Sequence, residues 1–145
     1  MMTDSAPHTP AASRPSSSWG RLIWAWGPAI AMMAAIVAAS SIQNLDELPG
    51  GVSDKTAHFW SYFVLGVLVL RGTSRATWRG VTIGAAVLAW IICAAFGASD
   101  EWHQFYVPGR EADVVDWLAD TSGAAAGAAV VWALARARRR TGRTV

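Results

Sequence analysis

The sequence is poor in charge, in cysteine and in recognisable catalytic motifs. Only 15% of its 145 residues are charged, whereas a soluble domain carries about a quarter. The single cysteine cannot form an internal disulfide, which excludes a disulfide-stapled fold. The sequence has no internal repeat, no His-Glu-x-x-His zinc motif, no serine-nucleophile elbow and no glycine-rich phosphate loop. The standard hydrolase and nucleotide-binding signatures are therefore missing, and the low charge favours a membrane protein.

Apolar side chains, by contrast, make up 53% of the residues and gather in four stretches. The stretches cover residues 22–42, 57–70, 81–98 and 114–135. A helix that crosses the hydrocarbon core needs about 20 residues, with a range of about 17–25. Three stretches have this length, and the second reaches it only when the turn from Asp54 is included. We therefore expect an all-α fold, namely a four-helix transmembrane bundle.

Polar segments flank the apolar region. Residues 1–18 are rich in Pro, Ser and Ala without periodicity, which is typical of a disordered tail. Residues 19–136 form the predicted transmembrane domain, and residues 137–145 form a basic tail. The first apolar stretch is too long for a signal-peptide core and three more follow it, so we expect an uncleaved helix. Because the basic tail directly adjoins a membrane helix, we expect no nucleic-acid partner.

Basic and acidic residues alternate along the chain, and this pattern predicts the orientation. Ten of the twelve Lys and Arg residues lie before the first stretch, between the second and third, or after the fourth. Nine of the ten acidic residues lie at or near the opposite face. Since segments rich in Lys and Arg stay in the cytoplasm, we expect a multi-pass protein of the bacterial cytoplasmic membrane with both termini inside.

An antiparallel bundle would bring two polar motifs to the same outer leaflet. The first motif is SDKTAHF at residues 53–59, and the second is DEWHQFYVPGREADVVDWLAD at residues 100–120. The two motifs lie far apart in sequence, but both connect helices on the side opposite to the termini. We therefore expect their ionisable side chains to form one polar region.

Helix phase places three acidic residues of the fourth stretch on one face. Asp113, Asp116 and Asp120 are spaced i, i+3 and i+7. The same face continues to Gly123 and Gly127, and a Gly-xxx-Gly pair allows another helix to approach closely. This face is therefore predicted to contact protein, and an oligomer could also form through it.

Carboxylates at membrane depth need partners, because an isolated charge there costs at least a few kcal/mol. The candidate partners are the basic side chains at the same predicted level, namely Lys55, His58, His103 and Arg110. Two interpretations follow from this composition. The cluster is either an ion-pair network that pins the helices together or a functional site, and we favour the functional site.

These motifs resemble the VanZ-like family of small bacterial membrane proteins, whose founding member is an accessory protein of glycopeptide resistance linked to teicoplanin. The family pattern is Asp-Lys-x-x-His, then Glu-x-x-Gln, Pro-Gly-Arg and Asp. This chain is similar at Asp54, Lys55, His58, Glu101, Gln104, Pro108, Gly109, Arg110 and Asp116. Many members have Asn at the position of Asp120, so this chain carries an additional acidic group there. The resemblance covers residues 20–135.

The resemblance implies phosphoester chemistry at the outer leaflet, through a proposed distant kinship to lipid head-group enzymes such as phosphatidylserine synthases. Arg110 and Lys55 would hold a phosphate, and His58 or His103 would be the nucleophile or general base. Acidic residues would orient that histidine or hold a divalent cation. We expect His58, Glu101 and Asp116 to be catalytic, and the substrate-binding residues to be Lys55, Gln104, Arg110, Asp54, Asp120 and His103.

The partner in this reading is a membrane lipid or a lipid-linked substrate. The alternative is a non-catalytic protein that binds or shields a cell-wall precursor or an antibiotic in the same polar region. A proton-coupled carrier is less favoured, because four short spans without a repeat leave little room for alternating access.

Overall fold

The computed structural model describes residues 17–42 and 53–141. It contains four helices, α1 (Ser18–Ser40), α2 (Asp54–Thr73), α3 (Ile83–Gln104) and α4 (Val114–Thr141). Neither described range contains a strand, and the predicted all-α, four-helix fold is confirmed. Residues 1–16 and 142–145 of the predicted tails lie outside the described residues.

The ends of the helices differ from the prediction where polar residues continue a helix. α3 extends through the acidic residues that follow its apolar stretch, and α4 includes the first five residues of the predicted basic tail. Ser17, Ser53 and Thr82 each accept a hydrogen bond from the backbone N–H three residues later, which caps α1, α2 and α3. Gly109 in the turn between α3 and α4 has a φ of 79°, a conformation that glycine adopts without steric cost.

The helices run antiparallel and give the bundle two chemically different ends. Arg71 near the end of α2 donates to carbonyls of the second turn of α1, and Arg139 near the end of α4 donates to carbonyls just before α3. We call this end, which comprises residues 18–26, 71–83 and 132–141, the basic end. The opposite end comprises residues 40–41, 54–62 and 97–120, and we call it the acidic end.

α2 is the central helix, since it makes the most extensive contacts with the other helices. Its closest contact is with α4, where glycines allow the two backbones to meet. A Cβ on Gly123 would overlap the carbonyl oxygen of Phe59, and one on Gly127 would overlap that of Phe63. The prediction that this glycine face contacts a helix is therefore confirmed, and the helix is α2 of the same chain. An oligomer through these glycines stays a prediction.

Three of the helices, α1, α3 and α4, are long and apolar enough to cross a membrane. α2 has 20 residues, but its first two turns contain Asp54, Lys55 and His58, which lower its hydropathy. Composition therefore supports three of the four predicted spans. The central position of α2 accounts for this difference, because much of its surface is covered by helices rather than by lipid.

Candidate functional site

The centre of the acidic end is a hydrogen bond between α2 and α4. The Nδ1 atom of His58 lies 2.9 Å from Oδ1 of Asp120, whose side chain is fully buried. Gly97 of α3 makes room for this carboxylate, since a Cβ there would lie 3.1 Å from its Oδ2 atom. The other ring nitrogen of His58, Nε2, is 3.9 Å from Oδ2 of Asp54. The buried carboxylate thus orients the imidazole and leaves its second nitrogen on the side of Asp54.

Arg110 lies beside this pair, in the connection between α3 and α4. Its Nη1 atom is 3.4 Å from Oδ2 of Asp54, and its side chain is 10% exposed. Arg110 and Asp54 line both an inner cavity of about 90 Å³ and an outer cavity of about 490 Å³. His58 also lines the inner cavity. The Asp54–Arg110 pair therefore stands between the two cavities.

Lys55 joins the start of α2 to the start of α4. Its Nζ atom donates to Oδ2 of Asp113 at 2.9 Å and to Oδ1 of Asp116 at 3.0 Å. The hydrogen bond from Lys55, followed by that from the backbone N–H of Val115, lowers the pKa of the Asp113 carboxyl below its usual value. Asp116 is buried, so Lys55 supplies the positive partner that this carboxylate needs.

Two residues of α3, Glu101 and Gln104, point into the bundle and are buried. Glu101 accepts a hydrogen bond through Oε2 from the backbone N–H of Asp113 at 2.8 Å. Gln104 donates to Oδ2 of Asp100 at 3.3 Å, and the hydroxyl of Ser40 donates to the other oxygen of Asp100 at 2.7 Å. Gln104 is therefore connected to the inner cavity through its hydrogen bond to Asp100, which lines that cavity.

Some buried polar atoms of the acidic end have no hydrogen-bond partner. Such atoms in the described part of the chain are Tyr62 Oη, Glu101 Oε1, Arg110 Nε and Asp120 Oδ2. A buried polar atom left unpaired costs about 1–3 kcal/mol, and most proteins avoid this cost. All four atoms lie at the acidic end, two of them on residues that line the inner cavity. The gathering of these unpartnered atoms at one end favours a ligand-binding site there, since a bound ligand would complete their hydrogen bonds.

Two sets of side chains could each hold a cation. One ligand atom from each of Asp54, His58 and Asp116 lies within 4.8 Å of the other two, and the same is true of His58, Glu101 and Asp120. His58 belongs to both sets. The predicted juxtaposition of His58 with Asp116 is therefore present.

The structure brings eight of the nine predicted site residues into one connected cluster. Seven contact one another or belong to the two cation sets, and Gln104 joins them through Asp100. His103 does not join, because its side chain is exposed and its Nε2 atom lies 2.9 Å from the hydroxyl of Ser41. The catalytic and substrate-binding roles of the eight residues stay predictions.

Three residues that line the inner cavity, Ser40, Tyr62 and Asp100, were not among the predicted site residues. Helix phase carries a signal for two of them, because Tyr62 follows His58 by four residues and Asp100 precedes Gln104 by four. Ser40 carries no such signal, since it ends an apolar stretch and meets Asp100 only through the tertiary fold.

Comparison with known proteins agrees with the two polar motifs. The VanZ/LLP1 family model matches residues 13–136, which include every residue of the cluster. No curated protein and no solved structure matches the chain. The match extends over most of the sequence, and the four helices and the polar cluster lie within it. The chain therefore belongs to the VanZ/LLP1 family.

Proposed function

We propose that this multi-pass membrane protein binds a phosphate-bearing lipid head group at its acidic end and acts on the phosphoester. The observation that carries the proposal is the placement of Arg110. Its side chain is nine-tenths buried, its Nε atom has no partner among residues 17–42 and 53–141, and it lines both the outer cavity and the inner cavity that His58 also lines. A guanidinium binds phosphate through two parallel hydrogen bonds, for which Arg110 has donors available.

The pairing of the basic residues also supports phosphate binding by Arg110. Lys55 already donates to two carboxylates at 2.9 and 3.0 Å. Arg110, in contrast, contacts Asp54 at 3.4 Å, which is a long distance for an ion-pair hydrogen bond. A phosphate can therefore replace Asp54 as the main partner of Arg110 at modest cost. Lys55 then serves to hold Asp113 and Asp116 at the edge of the site.

The sizes of the two cavities suit a small phosphate group that is joined to a larger head group. The inner cavity has about 90 Å³, which suits a single small group such as a phosphate. The outer cavity of about 490 Å³ is open and can receive the rest of the head group. Beside the inner cavity, His58, Glu101 and Asp120 are close enough to activate an attacking group.

We further propose that the acidic end faces the outer leaflet and that both termini are cytoplasmic. The arginine-rich basic end supplies the charge that keeps its side in the cytoplasm. This orientation requires α2 to cross the membrane, and its 20 residues span about 30 Å, the thickness of the hydrocarbon core. A reporter enzyme fused after Val145 should be active only in the cytoplasm, and activity outside would contradict the orientation.

Lipid mass spectrometry tests the head-group proposal. Cells that express the wild-type protein should show a changed phospholipid or lipid-precursor profile relative to cells without it. His58→Asn and Arg110→Gln should abolish the change, whereas the control Arg79→Gln, which alters an exposed arginine at the basic end, should retain it. Lipid that copurifies with the wild-type protein without any change in the profile would favour the non-catalytic binding protein. Neither binding nor a changed profile would contradict the proposal.

A further inference from the structure

We propose that His58, Glu101 and Asp120 bind a divalent transition-metal ion. One ligand atom of each residue lies within 4.8 Å of the other two. Ligand atoms around a Zn²⁺ ion, at about 2.0–2.2 Å from the metal, lie roughly 3–4 Å apart. Small side-chain rotations would therefore complete the set. The three residues come from α2, α3 and α4, so the ion would join three helices at the acidic end.

Charge distinguishes this set from the alternative set of Asp54, His58 and Asp116. In the alternative set, both carboxylates already face a fixed cation, because Arg110 contacts Asp54 and Lys55 contacts Asp116. A metal ion there would be repelled by Arg110 and Lys55. Within the described residues, neither Glu101 nor Asp120 forms an ion pair with a lysine or an arginine. Their basic partner among the described residues is His58, which pairs with Asp120 and is itself a member of the set, so a metal ion bound here would face no lysine or arginine.

Unpartnered atoms give independent support for a ligand at this position. Oε1 of Glu101 and Oδ2 of Asp120 accept no hydrogen bond from the described residues, although the two residues are 7% and 0% exposed. The hydroxyl of Tyr62, which is 1% exposed, also lacks a partner and belongs to the cavity that His58 lines. Two carboxylate oxygens would meet the ion directly. The tyrosine hydroxyl is placed to hydrogen-bond a water or phosphate oxygen held by it.

The ligand types indicate which ions fit. Magnesium and calcium prefer oxygen ligands, whereas an imidazole nitrogen suits zinc and other first-row transition metals. Three protein ligands leave a coordination position for water or substrate, as in catalytic zinc sites. Such an ion would make the site able to polarise a phosphoester, which deepens the head-group proposal. The three ligands of the metal ion do not depend on which lipid is bound.

Metal content of the purified, tag-free protein tests this inference. After incubation with Zn²⁺ or Mn²⁺ and removal of the free ion, the wild-type protein should retain about one equivalent, measured by elemental mass spectrometry. His58→Asn, Glu101→Gln and Asp120→Asn should each weaken retention by at least about tenfold, since changing even the hydrogen-bond partner of a metal ligand can cost this much. The matched controls His103→Asn and Asp113→Asn should retain the ion, because neither side chain belongs to the set.

A second measurement needs no variant and therefore remains valid if a substitution prevents folding. The melting temperature of the wild-type protein in detergent should rise with Zn²⁺ or Mn²⁺ and fall with a chelator, because a ligand of the folded state stabilises it. No retained metal and no shift in melting temperature would overturn the inference, as would equal retention by the three ligand variants and the two controls. If the wild-type protein retains the metal but turns over no lipid, that result would count against the head-group proposal alone.

Discussion

Both ends of the bundle carry many ionisable side chains, but these side chains make different kinds of contact at the two ends. At the basic end, Arg71 and Arg139 donate to backbone carbonyls, and Arg71 and Arg138 also lie over the rings of Trp24 and Trp78, at 4.8 and 4.4 Å from the ring centroids. At the acidic end, the carboxylates meet one another, one lysine, one arginine and one histidine. The buried polar atoms that lack a partner, as far as the structure describes the chain, all belong to this end.

In the proposed function, the basic end holds the helices together and the acidic end binds the ligand. At the basic end, Arg71, Arg138 and Arg139 contact carbonyls or rings of the fold, and the cavity of about 300 Å³ is lined mostly by apolar groups. The smaller inner cavity of the acidic end is bordered by Asp54, His58, Asp100 and Arg110. Cavity volume does not distinguish the two ends, because the acidic end also has the outer cavity of about 490 Å³. Unsatisfied hydrogen bonding points instead to the acidic end as the place where a ligand is bound.

The largest expected effect comes from separating α2 from α4, because this contact places His58 beside Asp120. Gly123→Ala would drive a Cβ into the carbonyl oxygen of Phe59 and should lower the free energy of unfolding by about 3 kcal/mol. In the matched Gly84→Ala, the new Cβ would lie 3.9 Å from the hydroxyl of Thr82, an ordinary contact, and stability should stay unchanged or rise slightly. Thermal unfolding in detergent compares the two. Equal effects would mean that close packing of these helices is not required.

The next largest effect should come from Arg110→Gln, which removes the cation between the two cavities. Breaking a buried ion pair costs about 3–5 kcal/mol, and we expect about 2 kcal/mol here because Asp54 is a third exposed. Arg79→Gln at the basic end should change stability by less than about 0.5 kcal/mol, since its side chain is exposed. Chemical or thermal unfolding measures both variants. An Arg110 variant as stable as the Arg79 variant would remove the contrast between the ends.

Two hydroxyl deletions separate paired from unpaired polar atoms within the acidic end. Ser40→Ala removes a donor to buried Asp100 and should cost about 1–2 kcal/mol. Tyr62→Phe removes a buried hydroxyl that has no partner in the described part of the chain and should leave stability unchanged or raise it by up to about 1 kcal/mol. Lipid turnover by the Tyr62 variant should nevertheless fall, because the hydroxyl serves the ligand. A Tyr62 variant that loses stability would show that the hydroxyl is paired within the fold.

The smallest effect concerns the exposed pair at the mouth of the acidic end. Lys55 lowers the pKa of Asp113, so the carboxyl binds protons less readily in the folded state than in the unfolded state. Its contribution to stability is therefore complete above about pH 4, the ordinary aspartate value, and is lost as the pH falls through the lowered pKa. Between pH 2 and about pH 6, the melting temperature should change less with pH for Asp113→Asn than for the wild type. Identical pH profiles would contradict the pairing.

Most of the fold could be predicted from hydrophobic length and charge alternation. The four apolar stretches correspond to α1–α4, and the pattern of basic residues corresponds to the two ends of the antiparallel bundle. The prediction of a membrane-spanning helix is weakest for α2, because the polar residues that α2 presents to neighbouring helices lower its hydropathy. A central helix need not be apolar throughout, because it is surrounded by protein. The central position of α2 becomes apparent only from the packing of the other three helices.

The sequence predicts which residues belong to the candidate site, but not which of them pair with one another. Helix phase placed Asp113, Asp116 and Asp120 on one protein-facing side, and Asp116 and Asp120 are buried, whereas Asp113 lies at the exposed end of that side. The sequence left open which base meets which acid, because Lys55, His58 and Arg110 all lie at the same level. The relative rotation of α2 and α4, set by glycine contacts, decides that His58 meets Asp120.

The measurement that most directly tests the central claim is photocrosslinking in phospholipid vesicles from the two cavities. A photoreactive residue at Ser61 lines the inner cavity of the acidic end, and one at Thr77 lines the cavity of the basic end. We predict lipid adducts at position 61 that fall about tenfold when Arg110→Gln removes one charge-assisted contact, and adducts at position 77 that do not change. Adducts at position 61 that are independent of Arg110 would contradict head-group binding at the acidic end.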